Sequence, residues 1–184
     1  MLCILRLLAV ITLACATVVA AEQPAIWIDV PFVKQSPEGC GAASIAMVMR
    51  YWTDQANREA GETADATYIL KKLHSREGRG IYASQMEKYF RQQGFHTFAF
   101  SGTWDHLREH LAKGRPLIVA LKPTGTSGAL HYVVVAGIDN QQGIVTFNDP
   151  AGRKLTKLDR KSFESDWKPT AQWTLLAIPD SGAR

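Results

Sequence analysis

Gln35-Ser-Pro-Glu-Gly-Cys40-Gly-Ala-Ala-Ser-Ile-Ala-Met-Val-Met-Arg-Tyr-Trp52 joins a turn cluster to an almost unbroken apolar run. A run of that length, apolar nearly all round, predicts a helix buried on most sides. Ser36-Pro-Glu-Gly39 is the turn before it, so Cys40 falls in the first turn of a central helix. A thiol attacks carbon only as thiolate, and unpaired N–H groups at a helix start favour that anion. Gly39 and Gly41 remove side-chain bulk on both sides of Cys40, which predicts room for a substrate backbone. A buried cysteine acting as a small apolar residue is the competing reading, and the rest of the chain must decide between them.

Outward from this helix, Val30 to Val33 is a short extended approach and Thr53 to Thr63 a polar loop. Asp65 can cap a helix from about Ala66 to His74. Glu77-Gly-Arg-Gly80 breaks the chain before a helix from about Ala83 to Gln93, ended by Gly94. Phe95 to Phe100 alternates as a strand should, and Thr103 can cap a helix that stops at Gly114. The second half is β-rich: Leu117 to Leu121, Tyr132 to Ala136, Ile144 to Phe147, Lys154 to Leu158 and Trp173 to Ile178. A short helix from about Lys161 to Trp167 interrupts it. Helices first and strands later predict an α+β fold, one N-terminal helix packed on an antiparallel sheet.

Met1 to Ala21 has one basic residue, Arg6, an apolar stretch from Leu7 and small residues before Glu22. This is the pattern of a secretory signal, residues 1–21, cleaved after Ala21 and leaving a single domain, residues 22–184. The apolar run is shorter than the ~20 residues that span a bilayer, so no stable membrane insertion is expected after cleavage. The expected location is therefore periplasmic or secreted. Of three cysteines, Cys3 and Cys15 lie in this leader, so Cys40 has no partner within the mature chain. A net charge of +4 with interspersed acids leaves no nucleic-acid footprint. Arg153 to Lys161 alternates polar and apolar positions and suits a solvated strand edge.

Acyl transfer needs a base beside the thiol, a group that orients the base, and donors for the oxyanion. His131 stands at the start of one strand, facing a helix start across a cleft. Asp149 closes the next strand, and in a hairpin it lies beside His131. Gln35, with the backbone N–H of Cys40, supplies candidate oxyanion donors. Taken singly, His131 suits a satisfied strand-end histidine, Asp149 an Asp-Pro turn and Gln35 a surface turn.

Val30-Pro-Phe-Val-Lys-Gln35, Gly39-Cys-Gly-Ala-Ala43, His131-Tyr-Val-Val-Val-Ala-Gly137 and Asn148-Asp-Pro-Ala151 together resemble the papain-like double-glycine cysteine peptidases that process bacteriocin precursors, especially their stand-alone exported relatives. The resemblance covers nearly all of the mature chain. It implies a papain-like fold with Gln35 as oxyanion donor, Cys40 as nucleophile, His131 as base and Asp149 as its orienter. It implies a peptide or protein substrate met outside the cytoplasm, and no cofactor or metal. The best-known members are domains of ABC transporters that cut after a Gly-Gly pair, whereas this chain is expected to carry a leader of its own and no transporter. Two alternatives stay open: a cell-wall peptidase or amidase acting on peptidoglycan stem peptides, and a silent peptide-binding module.

His106-Leu-Arg-Glu-His110 matches the H-x-x-E-H pattern of inverted zinc peptidases. Helical spacing places Trp104, Leu107 and Leu111 on the buried stripe and predicts both histidines on the opposite, solvated face. His74 and His96 have no partner that the sequence identifies. Trp167 and Trp173 are expected in the core, with the lining of a substrate cleft as the alternative.

Overall fold

The computed structural model describes residues 25–123 and 130–180. The expected leader and residues 124–129 of the expected cleft loop lie outside the described residues. Strand β1 (Ile26–Trp27) is followed by helices α1 (Cys40–Gln55), α2 (Ala66–Leu73) and α3 (Ala83–Gln92). Then come β2 (Phe95–Ser101), α4 (Trp104–Ala112), β3 (Leu117–Leu121), β4 (His131–Asp139), β5 (Ile144–Asn148), β6 (Thr156–Asp159), α5 (Arg160–Trp167) and β7 (Trp173–Pro179). The strands pair antiparallel in one sheet, ordered β2-β7-β3-β4-β5-β6, with β1 added on β4.

Local chemistry sets the helix ends. Asp65 accepts hydrogen bonds from the Thr67 and Tyr68 N–H groups and starts α2, and Thr103 accepts from His106 N–H and starts α4. Gly94 and Gly114 take φ of +79° and +65° behind α3 and α4, the left-handed geometry that stops a helix. The basic stretch lands on the sheet's edge: β6 pairs only with β5 among the described strands, and its Lys157 is exposed.

The sheet buries both faces. Ile118 and Ala120 of β3, Tyr132, Val134 and Ala136 of β4, and Leu175 and Ala177 of β7 pack with α1, α2 and α3. The alternate residues Leu117, Val119, Leu121, Val133, Val135 and Leu176 pack with α4 and α5. The expectation of one helix on the sheet thus grows into helical layers on both sides. This explains why β3 is buried at every position and reads as a continuous apolar run. In α1, Ile45 and Met47 are fully buried; cutting Ile45 back to alanine costs about 2–5 kcal/mol through lost burial and the cavity left behind.

Two departures shape the site. The polar segment after α1 is shorter than expected, because the helix runs to Gln55 and Glu62–Ala64 forms a 3₁₀ turn. More consequential is a bulge in β4, where the pairing steps from Val135 opposite Phe147 to Gly137 opposite Thr146. The extra residue, Ala136, turns its carbonyl to the Ile28 N–H at 2.9 Å, so the bulge receives the N-terminal segment that leads to Gln35.

Candidate active site

Cys40 is the first residue of α1 and the one cysteine among the described residues. The Ser36 carbonyl accepts from the Gly39 N–H at 2.9 Å across a turn in which Glu38 takes φ +59°. Proline second and a positive φ third is the type II pattern. Gly39 must be glycine for this turn to close: a Cβ there would lie 2.9 Å from the Ser36 carbonyl oxygen. Gly41 is buried, and its Cβ would stand 3.1 Å from Ile81 Cβ and 3.5 Å from the Tyr132 ring. Both glycines therefore serve close packing of the protein on itself, which corrects the expectation that they leave room for a substrate backbone. No side chain caps α1, so its first N–H groups stay available, and the Gly41 N–H hydrogen-bonds the Cys40 sulfur.

The opposing wall is the end of the β4–β5 hairpin. His131 opens β4, and Asp149 follows Asn148, the last residue of β5, which lies opposite Val134. His131 Nε2 lies 2.7 Å from Asp149 Oδ1. That oxygen also accepts the Ala151 N–H at 2.9 Å, while the Asp149 N–H donates to the Arg153 carbonyl at 3.1 Å. Beneath it, fully buried Asn148 donates to the Val30 carbonyl at 3.0 Å and accepts from the Leu155 N–H at 3.0 Å. Each side of this turn is thereby tied to the chain around it.

Thiol, imidazole and carboxylate form one line. His131 hydrogen-bonds Cys40, and with Nε2 held by Asp149 the nitrogen left for sulfur is Nδ1. Burial pushes the Cys40 thiol up, but the His131 hydrogen bond, the Tyr132 and Gly41 backbone N–H groups and the His131 charge outweigh it and leave the pKa below its usual value. Burial likewise opposes the His131 cation, yet Asp149 and Cys40 raise its pKa to about 9. Burial raises Asp149 too, and the His131 hydrogen bond and charge with the Ala151 and Gly152 N–H groups bring it down. The two shifts together favour a thiolate beside an imidazolium. A thiolate poised in this way is a competent nucleophile toward an acyl carbon.

Gln35 reaches the same corner through its backbone, its N–H donating to the Pro150 carbonyl at 3.0 Å next to Asp149. Its side-chain Oε1 is buried with no hydrogen-bond partner. Tyr132 is a site residue that the sequence reading missed. Its backbone N–H meets the sulfur, and burial with the Cys40 charge drives its phenol pKa to about 12. Strand alternation puts it on the face opposite its neighbour His131, so no pattern signals it. Trp173 packs edge-on against that ring at 5.4 Å and is only partly buried.

The remaining histidines lie elsewhere. His106 and His110 are half-buried rather than solvated: Phe100 covers both, with ring centroids 5.5 and 6.0 Å away, and both Nδ1 atoms are buried without a partner. The outer strand β2 supplies that cover, which helical spacing alone does not reveal. Among the described residues no three His, Cys, Asp or Glu side chains converge as a metal site. Nor is any described helix long and apolar enough to cross a membrane. His96 pairs with Asp180 at 3.0 Å, and His74 with Glu38 at 2.8 Å.

The fold is shared with solved structures. The peptidase domain of Streptococcus ComA, a bi-functional ABC transporter involved in quorum sensing, superposes with a TM-score of 0.63 at 20% identity, over 83% of this chain and 100% of that one. A putative C39-like peptidase from Bacillus anthracis gives 0.64 at 19% identity, over 86% and 100%. Xylellain, a cysteine protease from Xylella fastidiosa, gives 0.54 at 13% identity, over 87% of each chain. None of the curated proteins is close enough in sequence to count as a match. The family model described as Peptidase_C39 like family matches residues 27–174, so the chain belongs to that family of cysteine-type peptidases and adopts its papain-like fold.

Proposed function

We propose that this cysteine-type peptidase hydrolyses peptide bonds through Cys40, His131 and Asp149, and that it does so outside the cytoplasm. One observation carries the reading: a thiol with a lowered pKa is hydrogen-bonded to an imidazole whose far nitrogen is held 2.7 Å from a carboxylate.

The Cys40 thiolate attacks the peptide carbonyl carbon, and the carbonyl π electrons move onto oxygen. The Cys40 backbone N–H and the Gln35 side-chain amide stabilise that oxyanion; with Oε1 buried, Nε2 is the end of the amide left to donate. As the carbon–nitrogen bond breaks, the His131 imidazolium gives its Nδ1 proton to the departing amine, leaving a thioester on Cys40. Neutral His131 then takes a proton from water as the water attacks the thioester, and the thiolate leaves as the carboxylic acid is released. Asp149 keeps the ring in one orientation through both steps.

Export rests on the leader pattern of Met1 to Ala21. The full chain, assayed on linear peptides and on purified peptidoglycan, is expected to cleave linear peptides and to lose cleavage on Cys40→Ala. Undiminished turnover by that variant would sink the mechanism, and cleavage confined to peptidoglycan would reassign the substrate. Cell fractionation that finds the mature protein in the cytoplasm would overturn the location.

A further inference from the structure

Glu38 stands two residues before Cys40 at φ +59°, a conformation suited to glycine or asparagine and costly for a residue with a longer side chain. Backbone preference therefore does not account for a glutamate at this position. Its carboxylate meets His74 Nε2 at 2.8 Å through one oxygen and Arg79 Nε at 3.2 Å through the other. Both partners belong to the segment between α2 and α3, which folds on itself where the Ser75 N–H donates to the Gly80 carbonyl at 2.8 Å and the Gly80 N–H returns to Ser75 at 3.2 Å. The same segment continues into buried Ile81, the side chain packed against Gly41. Residues 74–81 thus grip the chain on both sides of the nucleophile: Glu38 by charge, Gly41 by contact.

We infer that Glu38, clamped by His74 and Arg79, is a positioning residue that fixes the Cys40 sulfur and the Cys40 N–H relative to His131. The inference rests on the peptidase reading above. The clamp sets the direction in which the chain enters α1, where a small displacement of sulfur or N–H costs rate far more than binding.

Glu38→Gly separates the clamp from the turn, because glycine accepts φ +59° without strain while removing the carboxylate. Full-length wild type, Glu38→Gly, Glu38→Gln, His74→Ala and the Glu38→Gly/His74→Ala double variant are compared by steady-state peptide hydrolysis and melting temperature. They are compared also by iodoacetamide alkylation at the Cys40 peptide across pH, read by mass spectrometry. Glu38→Gly is expected to lose about 10-fold or more in kcat with KM within about twofold and no fall in melting temperature. Its Cys40 alkylation should slow at neutral pH. Glu38→Gln, which keeps one of the two accepting oxygens, should recover part of kcat, and the double variant should be no worse than Glu38→Gly alone. Wild-type kcat and alkylation in Glu38→Gly, or additive losses in the double variant, would overturn the inference. If wild type cuts no peptide but Glu38→Gly still slows Cys40 alkylation, the clamp stands and the peptidase reading falls.

Discussion

The two walls of the cleft are built by different means. His131 and Asp149 sit at the ends of paired strands, and backbone ladder hydrogen bonds determine where their side chains begin. Cys40 sits between a turn closed by Gly39, where a Cβ would clash, and Gly41, where one would crowd Ile81, with a glutamate at positive φ and contacts from a distant segment. A sheet edge carries its residues as a consequence of pairing, whereas a helix start must be aimed by side chains. The sheet wall should therefore absorb substitutions around its functional groups, and the helix wall should respond to small changes that leave those groups intact.

The largest effect tests the premise that both walls serve one reaction. Cys40→Ala should abolish peptide hydrolysis while leaving the melting temperature nearly unchanged; a variant that still turns over would dissolve the comparison. Next, Gln35→Ala is expected to lower kcat about 10²- to 10³-fold, as loss of one oxyanion donor does. A rise in KM alone would assign Gln35 to binding.

The pH profile reads the contact between the walls. The productive pair needs Cys40 ionised and His131 protonated, so kcat/KM should rise through the lowered Cys40 pKa and fall near pH 9. Stability follows with a defined sign. His131 is raised from 6.5 to about 9 on folding, so its contribution is complete below pH 6.5 and disappears as pH climbs through about 9. Cys40, lowered from 9.0, contributes fully above pH 9.0 and loses that contribution as pH falls through its folded value. Above the folded Cys40 pKa the two contributions change in opposite directions, so the pair should lower the wild-type melting temperature only from about pH 6.5 up to that pKa and hold it level from there to about pH 9; a fall that steepens toward pH 9 would deny the ion pair.

The smallest expected effect is the most discriminating for the helix wall. Gly41→Ala pushes a methyl group to 3.1 Å from Ile81 Cβ and should cost about 1–3 kcal/mol in denaturant unfolding. Gly61→Ala, with nothing within 4 Å of its Cβ, should be close to neutral. Equal costs at the two glycines would remove the case for tight packing at the nucleophile.

The sequence carried the sheet wall better than the helix wall, for the same physical reason. Caps at Asp65 and Thr103 and stops at Gly94 and Gly114 are local signals, and the helices begin and end where those residues put them. His131 and Asp149 were placed together by strand order, and the hairpin register brings them within 2.7 Å. Strand β1 escaped because two residues, Ile26 and Trp27, are too few to show alternation. β4 runs on to Asp139 instead of stopping at Ala136, since Gly137 lies inside the strand, where its missing side chain admits the Ile26 carbonyl at 3.0 Å to the Cβ position. β6 begins at Thr156 instead of Lys154, after Leu155 turns through φ +57°. The Glu38 clamp was illegible because its partners lie 36 and 41 residues away and no periodicity links them.

The bulge at Ala136 carries a consequence for how this chain tolerates change in length. Beyond it, toward the turn, every β4 residue pairs one step out of phase with the site end of the hairpin. Deleting Ala136 would close the ladder instead of sliding it: Val135 would stay opposite Phe147 and Gly137 opposite Thr146, so the 2.7 Å contact of His131 with Asp149 would survive. What the deletion removes is the carbonyl that receives the Ile28 N–H. One alanine that pairs with nothing in the hairpin is thus the mooring of the segment that carries Gln35 to the site, and its loss would be felt by the oxyanion donor and not by the histidine.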